Sequence, residues 1–135
     1  MIEPEAIDVA SITDATVAAS VARRFALRCG CAERMASEIG IVARELATNI
    51  ARHAGRGALH LSVVDDTLEV RAVDAGPGDP DGLFGRASPG VVDETGRPRA
   101  GLGAGLGAVQ RLSDRVEATR ANGGGLVVCA RRCIG

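Results

Sequence analysis

Residues 32–55 read AERMASEIGIVARELATNIARHAG, and their spacing decides how the rest of the chain is read. Met35, Ile39, Val42, Leu46 and Ile50 recur at intervals of three and four, which aligns them along one side of an α-helix. Gly55 supplies the stop, because a glycine just past the last apolar position closes a helix in the left-handed conformation. The same segment carries a second, polar stripe. At about 100° per residue, Glu45, Asn49 and His53 stand one above another. Core packing has no use for a carboxylate and an amide one turn apart, although a solvated helix face also looks like this. An Asn amide oxygen is a hard, neutral ligand for Mg²⁺. A carboxylate one turn away can polarise a water or a hydroxyl beside such an ion.

Outward from this helix the pattern alternates. Residues 5–12 read as a strand. Residues 13–30, TDATVAASVARRFALRCG, read as a helix capped by Thr13 or Asp14 and ended by Gly30, with Val17, Val21, Phe25 and Leu27 as its apolar side. ALHLSVVD (58–65) and TLEVRAVD (67–74) are strand-like runs whose short connection at Asp65-Asp66 makes an antiparallel hairpin. Residues 79–100 show no periodicity and hold several Gly and Pro, a long loop of the kind that is functional or disordered in a compact domain. GLGAGLGAVQRLSD (101–114) passes from glycines into a helix, and RVEATRA and GLVVCARR form two last strands joined at NGGG. The predicted order is β-α-α-β-β-loop-α-β-β. The predicted fold is a two-layer α/β sandwich, with a mixed, mainly antiparallel sheet and helices on one face. With no internal repeat, residues 1–135 are read as one domain.

Bulk composition narrows the function. The net charge is −1, so no strong field draws nucleic acid or an anionic membrane. Two Phe and no Tyr or Trp leave no base-stacking platform. All 16 basic residues are Arg, which excludes a Schiff-base lysine and a P-loop lysine. The N-terminus lacks the basic flank and apolar run of a signal peptide, and no stretch is apolar for long enough to span a membrane. Reduced thiols in the cytoplasm are therefore the expectation for Cys29, Cys31, Cys129 and Cys133. Their spacings are not those of the usual zinc pairs.

Two further constellations stand beside the polar helix stripe. In VDAGPG (73–78) a strand ends in Asp74, followed at once by Gly76 and Gly78. A strand-end carboxylate can accept a hydrogen bond from an exocyclic amine such as adenine's, and glycines let the backbone pass close to a flat ring. An ordinary Pro-Gly turn is the plainer alternative. In GLGAGLGA (101–108) glycines open a helix whose free first-turn amides can receive phosphate. A flexible hinge is the alternative there. The run also matches the Rossmann pattern G-x-G-x-x-A, but no strand leads into it and no acid follows at the required distance.

Taken together and in this order, the three segments resemble the GHKL superfamily, the ATP-binding fold of histidine kinases, gyrase and heat-shock chaperones. ELATNIARHAG resembles the N box, DAGPG the first glycine box and GLGAGL the second. Within the superfamily the chain looks most like the small bacterial serine/threonine kinases that act on anti-sigma factors and their antagonists, nearest to the RsbT-type switch kinase. The resemblance covers about residues 5–132. It implies ATP and Mg²⁺ as cofactors, with Asn49 as the metal ligand and Glu45 as catalytic base toward a target serine hydroxyl. Asp74 would bind the adenine amine, with Gly76 and Gly78 beside the ring. Gly101, Gly103 and Gly105, with Leu102, Ala104 and Leu106 between and after them, would wrap the triphosphate. Arg52 and His53 would sit at the phosphate end or site edge, and residues 79–100 would be the ATP lid. The chain departs from the pattern where the family often has a Gly-Thr pair before the last strand, its hydroxyl supporting the adenine-binding Asp. Here Gly124 and Gly125 offer no hydroxyl.

The implied function is a Mg-ATP-dependent protein serine/threonine kinase of a partner-switching pathway. Its substrate would be a STAS-domain anti-sigma factor antagonist, and a sigma factor or a metal-dependent protein phosphatase would be further partners. Nucleic acid and membrane are not expected as partners. The alternative is an ATP-gated binding module, an anti-sigma factor or phosphatase activator without kinase activity. A histidine-kinase catalytic domain fits less well, because the residues before the N-box helix contain no His.

Overall fold

A computed structural model describes residues 2–74, 104–120 and 125–135. The expected lid at 79–100, Gly76, Gly78, Gly101, Leu102, Gly103 and Gly124 lie outside the described residues. The elements are β1 (Glu5–Val9), α1 (Ile12–Arg28), α2 (Glu33–Asn49), a π turn (Ile50–Ala54), β2 (Gly57–Val64), β3 (Thr67–Asp74), α3 (Ala104–Arg111), β4 (Arg115–Arg120) and β5 (Leu126–Cys133).

The first strand is shorter than residues 5–12. It ends at Val9 because the chain is already turning into α1. Ser11, not Thr13 or Asp14, holds the N-cap position. Asp14 lies three residues in, where its Oδ2 accepts the N–H groups of Ala10 at 2.8 Å and Ser11 at 3.2 Å. Otherwise unpaired amides at the strand-to-helix junction are thereby satisfied. At the other end Gly30 takes φ +92°, and the Cys31 N–H reaches back to the Ala26 carbonyl at 3.1 Å.

The buried side of α1 differs from the expected one. Val17 is 49% exposed and Val21 only partly buried, while Ala15, Ala18, Ala22, Phe25 and Ala26 are buried. The reason is how closely α1 lies against α2. A Cβ added to Gly40 of α2 would come within 3.1 Å of the Ala19 carbonyl oxygen of α1. Helices this close admit only small side chains between them, so alanines face inward and larger residues are displaced to the margin. On α2 the reading holds: Ile39, Val42, Leu46 and Ile50 are buried and Met35 is partly buried.

The strands form one sheet in the order β1-β2-β3-β5-β4, and every pair is antiparallel. The β2–β3 hairpin turns on Asp65 and Asp66, at φ +50° and +62°. This is a two-residue turn with both central residues left-handed, which Asp tolerates better than most residues. Inward positions alternate along each strand. Ile7 and Val9, Leu59 and Leu61, Leu68, Val70 and Ala72, and Leu126, Val128 and Ala130 are buried against the helices. The opposite face is polar. Across three of its five strands, Arg131 on β5 donates to Glu69 on β3 at 3.0 Å and to Glu117 on β4 at 3.2 Å. The sheet and its helix layer match the predicted two-layer sandwich, and α3 packs on α2 to complete that layer. No helix among the described residues is long and apolar enough to cross a membrane.

Phe25 is fully buried and is the one aromatic ring of this core among the described residues. Phe25→Ala is expected to cost about 3–5 kcal/mol of unfolding free energy, read as a lower urea midpoint. Val17→Ala, at an exposed site, is expected to stay within about 0.5 kcal/mol.

Candidate functional site

Asp74 ends β3 on the helix-facing side, in line with Val70 and Ala72. It is 7% exposed, the one charged side chain buried among the described residues. A buried carboxylate must be offered donors. The main-chain N–H of Leu126, at the start of β5, donates to Asp74 Oδ1 at 3.2 Å. Main-chain support thus comes from the strand where the resemblance leads one to look for a threonine hydroxyl.

Two glycines make this placement possible. Gly57 of β2 stands opposite Asp74 in the sheet register. A Cβ there would lie 2.4 Å from the Val73 carbonyl oxygen and 2.8 Å from Asp74 Cα. On the other side, a Cβ on Gly125 would lie 2.3 Å from the Asp74 carbonyl oxygen. Neither position accepts a side chain while Asp74 stays where it is. The sequence singled out Gly125 only for its missing hydroxyl, and Gly57 was left just outside the strand predicted from Ala58. The available signal was RG-A after the helix, a glycine entering a strand that otherwise alternates, which marks close backbone approach.

Asp74 forms the polar floor of a pocket. Leu46, Asn49 and Ile50 line it from α2 and the π turn, Ala72 from β3, Leu106 from α3, and Leu126 and Val128 from β5. Among the described residues it is a narrow cleft with aliphatic walls and one carboxylate acceptor at its end. The predicted residues Asn49, Asp74 and Leu106 are therefore brought together from three separate segments.

Glu45 and Asn49 lie one turn apart on α2, as expected, and both are half-buried. Neither side chain has a hydrogen bond or ion pair among the described residues. Polar side chains held partly out of water with their bonding capacity unspent suit an incoming ligand. The donor set fits a hard cation: an amide oxygen beside a carboxylate, leaving room for phosphate and water oxygens.

The stripe does not continue unchanged to His53. After Asn49 the helix widens, and the Gly55 N–H donates to the Ile50 carbonyl at 2.8 Å, five residues back. Gly55 sits at φ +81° and ends the element, as its position predicted. The wider turn changes the direction in which later residues point, and such turns often occur at functional sites. Arg52 and His53 are both exposed, and the pocket is lined without them. Ala104 and Gly105 open α3, so the glycine run does lead into a helix. Leu106 and Val109 anchor that helix in the core.

The cysteines stand apart from this site. Burial pushes the thiols of Cys29, Cys31 and Cys129 up from their ordinary value, which disfavours the reactive thiolate. No cluster of three or more His, Cys, Asp or Glu suited to a metal ion occurs among the described residues.

The chain belongs to the histidine kinase-like ATPase domain family, whose signature matches residues 9–132. No curated protein matches it. Among solved structures it is similar to the RsbU and RsbW domains of Rv1364c from Mycobacterium tuberculosis, with a TM-score of 0.67 at 13% identity over 98% of this chain. The chain spans 32% of that protein's length. It is also similar to the SiaB–SiaC complex from Pseudomonas aeruginosa, with a TM-score of 0.60 at 15% identity, covering 98% of this chain and 90% of that one. At such identities the likeness is one of fold.

Gly57→Ala and Gly125→Ala are each expected to destabilise the protein by about 1–3 kcal/mol through overpacking against Asp74. Chemical denaturation measures this as a lower midpoint.

Proposed function

We propose that this protein is a Mg-ATP-dependent protein serine/threonine kinase of a partner-switching pathway, acting on a STAS-domain anti-sigma factor antagonist. The observation that carries the reading is the pair of half-buried side chains, Glu45 and Asn49, without partners among the described residues, beside a pocket floored by Asp74. Family membership supplies the ATP. Each of the two similar structures holds a second protein or domain, RsbU in one and SiaC in the other, which supports a protein partner here.

In this reading Asp74 accepts a hydrogen bond from the exocyclic amine of adenine, and its position at a strand end gives the ring a fixed edge to meet. Leu46, Ile50, Ala72, Leu126 and Val128 keep water from the ring faces. Asn49 would hold a magnesium ion through its amide oxygen, and the ion would supply charge neutralisation at the phosphates. The first-turn amides of α3 face the phosphate chain and act as fixed donors. Glu45 accepts the proton of the target hydroxyl as its oxygen bonds to the γ-phosphorus and the bond to ADP breaks. Phosphoryl transfer needs mainly positioning and electrostatic support, so this small set of groups is sufficient. With no Lys in the chain, Arg side chains and the metal carry the positive charge. Arg52, exposed on the π turn, meets a phosphate or the incoming protein in this reading.

The alternative, an ATP-gated binding module without transfer, is favoured by one feature of the sequence: Gly124 and Gly125 stand where the family often has a Gly-Thr pair. Incubation with γ-labelled ATP, magnesium and a STAS-domain protein encoded beside this one separates the two. Transfer to serine or threonine is expected, with Glu45→Ala reducing its rate about 10²–10⁴-fold while ATP still binds. Asp74→Asn is expected to weaken ATP binding by about 10-fold to 100-fold, measured by calorimetry. ATP-dependent capture of the partner with no phosphoproduct would establish the binding module instead.

A further inference from the structure

We propose that Arg132 is a positioning residue for the phosphate half of the site, fixing where α3 lies along α2. The inference rests on the nucleotide reading given above. Arg132 is on the helix-facing row of β5, paired in register with the buried Leu68. Its Nη2 donates to Glu38 Oε1 of α2 at 2.9 Å, and its Nη1 donates to the Leu112 carbonyl at 3.1 Å. The two charged side chains are only 23% and 22% exposed, so this pair is far less screened than a surface ion pair.

The Leu112 carbonyl belongs to the end of α3. The Leu112 N–H still bonds to the Ala108 carbonyl at 2.9 Å, one turn back. A helix leaves its last carbonyls without partners and carries partial negative charge there. A guanidinium at that point answers both needs. Its planar fork also holds two acceptors in one fixed geometry, which a lysine ammonium does not. Glu38 meets Arg34 as well, at 3.9 Å, but Arg34 is 92% exposed and adds little.

Leverage makes this node matter for the site. Glu38 lies on the helix that carries Glu45 and Asn49 further along. Leu112 lies at the far end of the helix whose first turn faces the phosphates. Leu106 and Val109 bury α3 in the core, but apolar burial is non-directional and tolerates sliding along the axis. Directional bonds from one rigid fork do not. Arg132 therefore sets the separation between Asn49 and the amino-terminal turn of α3. The adenine end is built on Asp74, Gly57 and Gly125 of the sheet and, among the described residues, meets α3 only at Leu106.

This division gives a readout that a merely structural role would not move. Binding of Mg-ATP and of adenosine is measured by calorimetry and NMR titration for the wild type, Arg132→Met, Arg132→Lys and Glu38→Gln. Arg132→Met is expected to weaken Mg-ATP binding about tenfold while adenosine binding changes less than about twofold. Arg132→Lys falls between wild type and Arg132→Met, and it carries the test if Arg132→Met does not fold. Glu38→Gln keeps its acceptor oxygen and stays within about threefold of wild type for both ligands. Equal losses for ATP and adenosine in the Arg132 variants, or no change in either, would overturn the proposal and leave the nucleotide reading intact. A wild-type chain that binds no Mg-ATP would overturn both.

Discussion

Burial of the Asp74 carboxylate at the end of a central strand is the constraint on which the rest of the architecture turns. A charge withdrawn from water is costly unless donors replace the lost hydration. The Leu126 N–H supplies one donor from the neighbouring strand. That strand can come close enough only because Gly125 has no side chain, and β2 can lie on the other side only because Gly57 has none. The carboxylate, two glycines and one amide thus form a unit drawn from three strands. An acceptor held rigidly at the floor of an otherwise aliphatic pocket is a poor device for stability. It is a good one for recognising a flat heterocycle by a single edge donor.

Helix α2 serves two purposes along its length. Its first three turns are packing surface: Ala36, Ile39, Gly40 and Ala43 face the core or α1 at a distance that only small residues permit. Its last turn carries Glu45 and Asn49, which have no partners among the described residues. The change from core to site coincides with the widening of the helix beyond Asn49. A π turn costs hydrogen-bond geometry, and here it redirects the chain so that Ile50 remains in the pocket wall while Arg52 and His53 face solvent. The helix is therefore anchored in the core along most of its length, with Asn49 at its end lining the pocket.

Likeness of fold at 13% and 15% identity to two solved structures fits this division. The backbone arrangement survives almost any exchange of aliphatic for aliphatic inside the sandwich, since such cores tolerate substitution at constant volume. Gly57 and Gly125 cannot be exchanged as freely, because a Cβ at either meets the backbone of Val73 or Asp74, and in the proposed function neither can Glu45, Asn49 and Asp74. Function is therefore argued from that set rather than from the fold, which hosts more than one activity.

Much of this was legible in the residues alone. The three-and-four spacing of Ile39, Val42, Leu46 and Ile50 is a local property, and it specified α2 and its buried side. The alternation in 58–74 specified the hairpin, and the polar residues Glu45, Asn49 and Asp74 were visible as misfits in their elements. Tertiary structure decided what depends on distance between segments. It turned the alanines of α1 inward and Val17 outward, because the gap to α2 is set by Gly40 and Ala19, which lie far apart in sequence. It gave Gly57 and Gly125 their meaning, because a missing Cβ matters only when another strand lies against it. It ended the straight helix at Asn49 and placed Arg132 between α2 and α3. Periodicity records what a segment does relative to its own axis; close approach and register belong to pairs of segments, and no single stretch of sequence contains them.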